Sequence, residues 1–158
     1  MNPAPDLWSW SLAAYASPGA AEACLHLQEA QDHNVPYLLW AAWAAASARP
    51  LDAQLLESGA DIARTYDAAV VKPLRVVRTT LKKAIADMDE AARLDLREQV
   101  KAVELRAERR LLEELERMSP DPSGPARRIG PALIDAGRAW GPVIPRVALE
   151  TLAGKLPA

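Results

Sequence analysis

Most of the aromatic side chains of this chain lie in one stretch, from Leu7 to Trp43, so we expect them to be buried together. The stretch holds four of the five tryptophans and two of the three tyrosines, and the chain has no phenylalanine. Each aromatic side chain buries roughly 150 to 250 Å², at about 25 cal/mol per Å². We therefore predict a core aromatic cluster that consists of Trp8, Trp10, Tyr15, Trp40 and Trp43.

The first of three short, alanine-rich helices is predicted at the start of this stretch. Asp6 is a suitable N-cap for a helix over about residues 7–16. Trp8, Leu12 and Tyr15 recur with the helical period, so we expect them to share one side, whereas Trp10 lies on another. We expect both sides to be buried, and the alternative is that one of them binds a partner.

Two further short helices follow. Ser17 with Pro18 directly after it is a helix start signal, and the second helix is expected to end near residue 31. Asn34 can cap a third helix, which is expected to end near residue 47, before Pro50. The apolar ridge of the third helix consists of Leu39, Trp40 and Trp43.

Two longer segments have the periodicity of amphipathic helices. After a short helical turn over residues 51–59, the first runs from Asp61 to Asp87, and Pro73 within it predicts a kink. The second runs from Glu90 to Met118. Their apolar positions are Ile62, Tyr66, Ala69 or Val70, Leu74, Val77, Leu81, Ile85 and Met88, and then Leu96, Val100, Val103, Ala107, Leu111, Leu115 and Met118. We predict an all-α fold in which the three short helices pack on a long, Pro-kinked antiparallel helical hairpin.

The composition changes after Met118. Residues 119–158 contain seven of the thirteen prolines and five of the seven glycines. We therefore expect a helical domain over residues 1–118, with residues 7–118 folding alone, and a Pro/Gly-rich apolar tail with short helices over residues 119–158. The tail either docks on the domain or binds a partner.

The positive charges are concentrated in one island. Residues 68–84 contain five bases and no acid, whereas residues 1–67 contain eight acids and two bases. Lys72, Arg75, Arg78 and Lys82 recur at spacings of three or four, so they form a stripe on a helix. This basic stripe suits an acidic protein surface, nucleic-acid phosphates, or the acidic N-terminal region of its own chain. The isoelectric point of about 5.7 argues against a dedicated nucleic-acid binder.

The opening of the chain has a distinct sequence pattern. It consists of Leu7-Trp8-x-Trp10-Ser11-Leu12, then Tyr15, Pro18-Gly19, Ala23-Cys24-Leu25, Leu27-Gln28, Asn34-Val35 and Leu38-Leu39-Trp40, followed by Pro73-Leu74-Arg75 and Leu81-Lys82. This pattern resembles a family of short proteobacterial proteins described as domain of unknown function 2390, over roughly residues 7–118. The resemblance implies these domain limits and a bacterial cytoplasmic setting, and it implies no activity, cofactor or catalytic residue.

No residue pattern indicates catalysis or metal binding. Cys24, His26 and His33 are the only Cys and His residues, and positions 24 and 26 lie about 200° apart around a helix. A buried thiol and surface histidines are the expected interpretation, with a Cys24 nucleophile or a metal site as the alternative. We expect no catalytic residue, no metal and no cofactor. The single cysteine favours the cytoplasm, and the longest uncharged segment, residues 33–48, is too short for a membrane span.

These features favour a non-enzymatic adaptor or regulatory module that binds another protein in the cytoplasm. The expected partner has an acidic surface, and the expected partner-binding residues are Lys72, Arg75, Arg78, Lys82 and Trp140. The alternative from another class is a small-molecule binder or small enzyme that uses a tryptophan-lined pocket. A nucleic-acid-associated protein is a further alternative. A cavity enclosed by the tryptophans would favour the pocket, whereas solid packing would favour the interaction module.

Overall fold

The computed structural model describes residues 4–157, and every regular element in that range is helical, which confirms the all-α fold class. No helix in the described range is long and apolar enough to cross a membrane. The elements are α1 (Leu7–Ala16), α2 (Ala20–Ala30), α3 (Val35–Ala46), α4 (Ala53–Tyr66), a π-helical turn (Asp67–Val71), α5 (Lys72–Thr80), α6 (Glu90–Arg117), α7 (Ile129–Trp140) and α8 (Arg146–Ala153).

Helix α3 is the centre of the fold. Every residue from Val35 to Ala45 is buried, so the helix is covered on all its sides. Asn34 caps it, since its Oδ1 accepts a hydrogen bond of 2.9 Å from the Tyr37 backbone N–H. A helix that is apolar all round has no side that favours water, and the other elements therefore pack around it.

The two tryptophans of α3 lie in the core, and their indole N–H groups are hydrogen-bonded. Trp40 Nε1 donates to Ser119 Oγ at 2.7 Å, and Trp43 Nε1 donates to Pro5 O at 3.0 Å. A buried donor without a partner costs about 1 to 3 kcal/mol. These two bonds therefore fix the chain before α1 and the chain after α6 against α3.

Helix α1 faces the core with the side that carries Trp10, and the side that carries Leu12 and Tyr15 is exposed. Its buried residues are Leu7, Trp10, Ser11 and Ala14. Leu12 is exposed, Trp8 is only partly buried, and Tyr15 is 44% exposed. The prediction that Tyr15 belongs to the core was therefore wrong. Because Ser11 and Ala14 are small, the observed side lets α1 approach its neighbours closely, and Leu7 and Trp10 are buried on the same side.

Helix α4 continues through Gly59, where the sequence predicted the end of a short turn. It starts after Asp52, whose Oδ1 accepts a hydrogen bond of 2.8 Å from the Leu55 backbone N–H. Gly59 is buried beneath Trp40, and a Cβ at this position would lie 2.3 Å from Trp40 Cζ3. The glycine therefore serves close packing of α4 on α3 and does not end the helix.

The π-helical turn joins α4 to α5, whose second residue is Pro73. Proline has no backbone N–H and crowds the carbonyl four residues earlier, so a regular helical hydrogen bond to Ala69 cannot form. A π turn is one of the known ways in which a helix accommodates such a local disruption. The kink predicted at Pro73 stays a prediction, while the irregular turn is observed.

The C-terminal segment after Met118 is part of the core. Tyr37 Oη of α3 donates to Ala136 O of α7 at 2.9 Å. Helix α7 packs on α3 and α4, and α8 packs on α2 and α7. One cluster joins Trp40 to the buried apolar residues of this segment, which are Ile129, Leu133, Ile134, Ala136, Leu149, Leu152 and Leu156. Docking on the domain is therefore the alternative observed, and a boundary at Met118 does not separate two packing units.

The variant Gly59→Ala should have a lower free energy of unfolding than the wild type. A methyl group 2.3 Å from Trp40 Cζ3 would force α3 and α4 apart. Overpacking a core costs about 1 to 3 kcal/mol, whereas alanine gains at most about 1 kcal/mol over glycine in a helix. Gly130→Ala is the control, because its Cβ would meet only Ala153 Cβ at 3.9 Å. Urea titration measures both variants, and wild-type stability of Gly59→Ala would contradict the close contact.

A chain that ends at Met118 should lack a cooperative thermal transition, because it loses the helices that cover α3. Within the full chain, Leu133→Ala should lower the free energy of unfolding by roughly 2 to 5 kcal/mol. Val147→Ala, at a residue that is 80% exposed, is the control and should change it by less than about 0.5 kcal/mol. Scanning calorimetry measures the thermal transition of the shortened chain and of both variants. A cooperative transition of the shortened chain at the wild-type temperature would support the domain boundary predicted from the sequence.

Candidate functional site

Residues 70–107 form a helical arm that extends beyond the core. Within the described range, neither the core cluster nor the apolar residues packed against it include a residue between Tyr66 and Leu111. The two helices of the arm run antiparallel, because their contacts occur in reversed order along the chain. These contacts join Tyr66 to Glu114, Arg78 to Glu104, and Leu81 to Arg93.

Charged side chains occupy the space between the two helices of the arm. Arg78 Nε donates to Glu104 Oε1 at 2.6 Å, and the Glu104 side chain is almost fully buried. Arg93 is buried as well, and its Nη1 donates to Leu81 O at 2.7 Å. Removing one partner of such a buried pair costs several kcal/mol, roughly 3 to 5. These contacts therefore set how α5 and α6 are rotated against each other.

Two residues of the basic stripe pair with acids of their own chain. Lys72 Nζ lies 3.2 Å from Asp32 Oδ1 in an exposed pair, and Arg78 is held by Glu104 inside the arm. Lys82 is exposed and forms no ion pair within residues 4–157. Asp32 belongs to the acidic N-terminal region in which the sequence placed the internal partners, whereas Glu104 lies on α6.

Arg75, the remaining residue of the stripe, lies at a polar node between α5, α6 and the turn from α2 to α3. It lines a cavity of about 10 Å³ together with Asp67 and Glu108. Burial raises the pKa of both carboxyl groups, and the charge of Arg75 opposes the shift. Perturbed carboxyl groups often mark functional sites. This cavity has room for about one water molecule, so the node joins three elements and offers no space to a ligand.

Trp140, the residue of the C-terminal segment that was expected to bind a partner, packs on the body of the protein. The centroid of its ring lies 5.4 Å from that of Tyr37 and 5.9 Å from that of His33. Its Nε1 donates to Asp32 O at 3.0 Å, and the Arg64 guanidinium lies 4.8 Å above its ring. Trp140 therefore holds the end of α7 in place.

The tryptophans pack solid and line none of the five cavities described within residues 4–157. The Cys24 thiol is buried, and burial raises its pKa to about 11. A nucleophilic cysteine needs the thiolate form, which this environment disfavours. In the same range, no group of three or more His, Cys, Asp and Glu side chains is arranged to hold a metal.

One side of the arm is apolar and open to solvent. The hydrogen bond between Tyr66 Oη and the Glu114 carboxylate marks this side at the base of the arm. Two stripes continue from it: Val70, Leu74 and Val77 from the π-helical turn into α5, and Leu96, Val100, Val103 and Ala107 along α6. Leu81, which follows α5, is buried. Val77, Leu96 and Val103 are 45%, 45% and 39% exposed. We call these two stripes the open face.

The periodicity predicted both stripes as the apolar positions of a helical hairpin. Leu96 and Val103 are nevertheless exposed, because charged side chains occupy the contact between the two helices. Leu105 is also exposed, at 54%. It follows Val103 by two residues and so lies about 200° around the helix. The open face is therefore distinct from the side of α6 that carries Leu105.

Comparison with known proteins gives one match. A model of the family described as "Protein of unknown function (DUF2390)" matches residues 6–115, which include α1 to α5, most of α6 and the whole arm. No curated protein and no solved structure matches the chain. Helices α7 and α8 lie outside the matched range. Because the match covers more than half of the chain, the protein belongs to the family of proteins of unknown function DUF2390, as its opening sequence pattern predicted.

Proposed function

We propose that this protein is a non-enzymatic interaction module that binds through the open face of the arm, and that a second copy of the chain occupies this face. Two arms placed face to face would form an antiparallel four-helix bundle. The observation that supports the proposal most strongly is the distribution of side chains in the arm. Charged groups lie between its helices, while large apolar groups lie partly in water.

The open face has the apolar composition of a surface that packs against other helices, but no second layer of helices covers it in the single chain. Full burial of a Val or Leu side chain is worth roughly 1.5 to 3 kcal/mol. Val77, Leu96 and Val103 are at least 39% exposed in the single chain, so part of this free energy is not realised. A second apolar layer would remove their remaining surface from water. Association through this face therefore has a clear hydrophobic driving force.

The size of the open face indicates a reversible contact. The stripe from Leu96 to Ala107 is about 16 Å long at a rise of 1.5 Å per residue, and two adjacent helices are about 20 Å wide. A flat area of about 300 Å² is smaller than the surface of about 800 Å² that each partner buries in a standard specific interface. We therefore expect a dimer in equilibrium with the monomer.

The charge pattern of the arm favours a second copy as the occupant. Residues 90–106 of α6 contain four acids and four bases, whereas α5 contains three bases and no acid. A two-fold arrangement that places each α5 over the α6 of the other copy avoids contact between like charges. A partner with an acidic surface would have to displace the acids that already bind Lys72 and Arg78.

The test is the molar mass of the chain as a function of concentration, measured by sedimentation equilibrium. The wild type should pass from 17.1 kDa toward twice that mass as the concentration rises. Val103→Glu should weaken dimerisation at least tenfold, because a charge buried without a partner costs more than about 1.4 kcal/mol. Leu105→Glu adds the same charge to the other side of α6, so it is the matched control and should dimerise like the wild type.

Circular dichroism and thermal unfolding of both variants establish that their arms are folded. A wild-type mass of 17.1 kDa at the highest soluble concentration would exclude a second copy as the occupant. Equal weakening by Val103→Glu and Leu105→Glu would exclude the open face as the site of contact.

A further inference from the structure

A cleft of about 900 Å³ lies between α7, α8 and the chain segment before α7. Its charged lining residues are Arg127, Arg128, Asp135, Arg138, Arg146 and Glu150. The cleft therefore has two more bases than acids, although the whole chain has a net charge of −2. Charges of one sign that line a concave surface concentrate the electrostatic potential there and attract ligands of the opposite sign.

Most of the arginines of the cleft are free to bind an anion. Arg138 pairs with Asp135 at 3.0 Å. Within residues 4–157, Arg127, Arg128 and Arg146 form no ion pair. A guanidinium group stays charged throughout the physiological pH range and binds phosphate or carboxylate oxygens through two parallel N–H donors.

The arginines lie toward the two ends of the cleft, and small apolar residues line it between them, together with Asp135 and Glu150. At one end Gly130 of α7 faces Ala153 of α8, and a Cβ on Gly130 would lie 3.9 Å from Ala153 Cβ. Arg127 and Arg128 precede this end along the chain. Arg138 lies eight residues beyond Gly130 on α7, about 12 Å away at 1.5 Å per residue. The small apolar residues of the lining leave space for the organic part of a ligand.

Two further features favour an anion at the Gly130 end. Helix α7 begins there at Ile129, with no side-chain cap and no acid in its first turn, so its dipole favours negative charge. An adjoining cavity of about 270 Å³ shares Arg127 and Arg128 and adds Arg49. Arg49 Nη1 donates to Pro120 O at 3.0 Å and its guanidinium lies 4.7 Å from the centroid of the Trp43 ring, so Arg49 adds positive charge to this end.

We propose that the cleft binds an organic phosphate of nucleotide size. The arginines before Gly130 hold the phosphate oxygens, and the organic part of the ligand lies over the small apolar residues of the lining. The volume of the cleft falls in the range of small-molecule sites, about 300 to 1,000 Å³. All of its arginines lie outside the family-matched residues 6–115, so this site belongs to the C-terminal segment and is independent of the arm.

Isothermal titration calorimetry on the full chain tests this proposal, with ATP and fructose 1,6-bisphosphate as probes in the absence of divalent cations. At least one of the two should bind, whereas adenosine, which has no phosphate, should not. Arg128→Gln combined with Arg146→Gln should weaken binding at least tenfold and leave thermal unfolding unchanged, since both side chains are exposed. Arg106→Gln combined with Arg117→Gln removes the same charge from exposed positions outside the cleft and should keep wild-type affinity.

Three results would overturn the proposal. The first is the absence of binding heat with both phosphorylated probes at millimolar concentration. The second is an equal loss of affinity in the two double variants, which would mean that binding depends on the net charge of the protein and not on the cleft. The third is tighter binding of a single-stranded RNA than of either probe, lost in the cleft variant alone, which would assign the cleft to a nucleic acid.

Discussion

The burial of α3 on every side is the constraint on which the positions of the other helices depend. An uncharged helix of twelve residues has no side that favours water, so α1, α4, α6 and α7 each cover a part of it. The indole N–H groups of Trp40 and Trp43 add a second requirement, because each needs an acceptor within the core. Gly59 meets a third requirement, since the Trp40 ring occupies the space that a side chain would fill.

Features of the fold that depend only on residues close together in the sequence could be predicted from it. Asp6 and Asn34 cap α1 and α3 as predicted, because a cap involves residues within one helical turn. The side of α1 that faces the core was not predictable, since both candidate sides carry a tryptophan and the choice depends on the neighbours of the helix. The role of α7 and α8 was hidden by prolines and glycines typical of a linker, although the apolar residues between them complete the core.

The candidate sites were predictable to a smaller extent. The periodicity revealed both apolar stripes of the arm, but the contact between α5 and α6 depends on the rotation of each helix. That rotation is set by pairs such as Arg78 with Glu104, which are 26 residues apart in the sequence. The cleft had no sequence signal, because only the packing of α8 beside α7 brings Arg127 and Arg146 into one cavity.

The protein thus combines a complete core around α3 with an arm whose apolar side has no second layer. Hydrogen–deuterium exchange at several protein concentrations measures this difference most directly, because amide protection reports the free energy of local opening. We predict that exchange in residues 72–80 and 90–107 slows as the concentration rises, since a second copy covers the arm, while α3 is equally protected at every concentration. Exchange in the arm that stays constant from micromolar to the highest soluble concentration would contradict self-association through the open face.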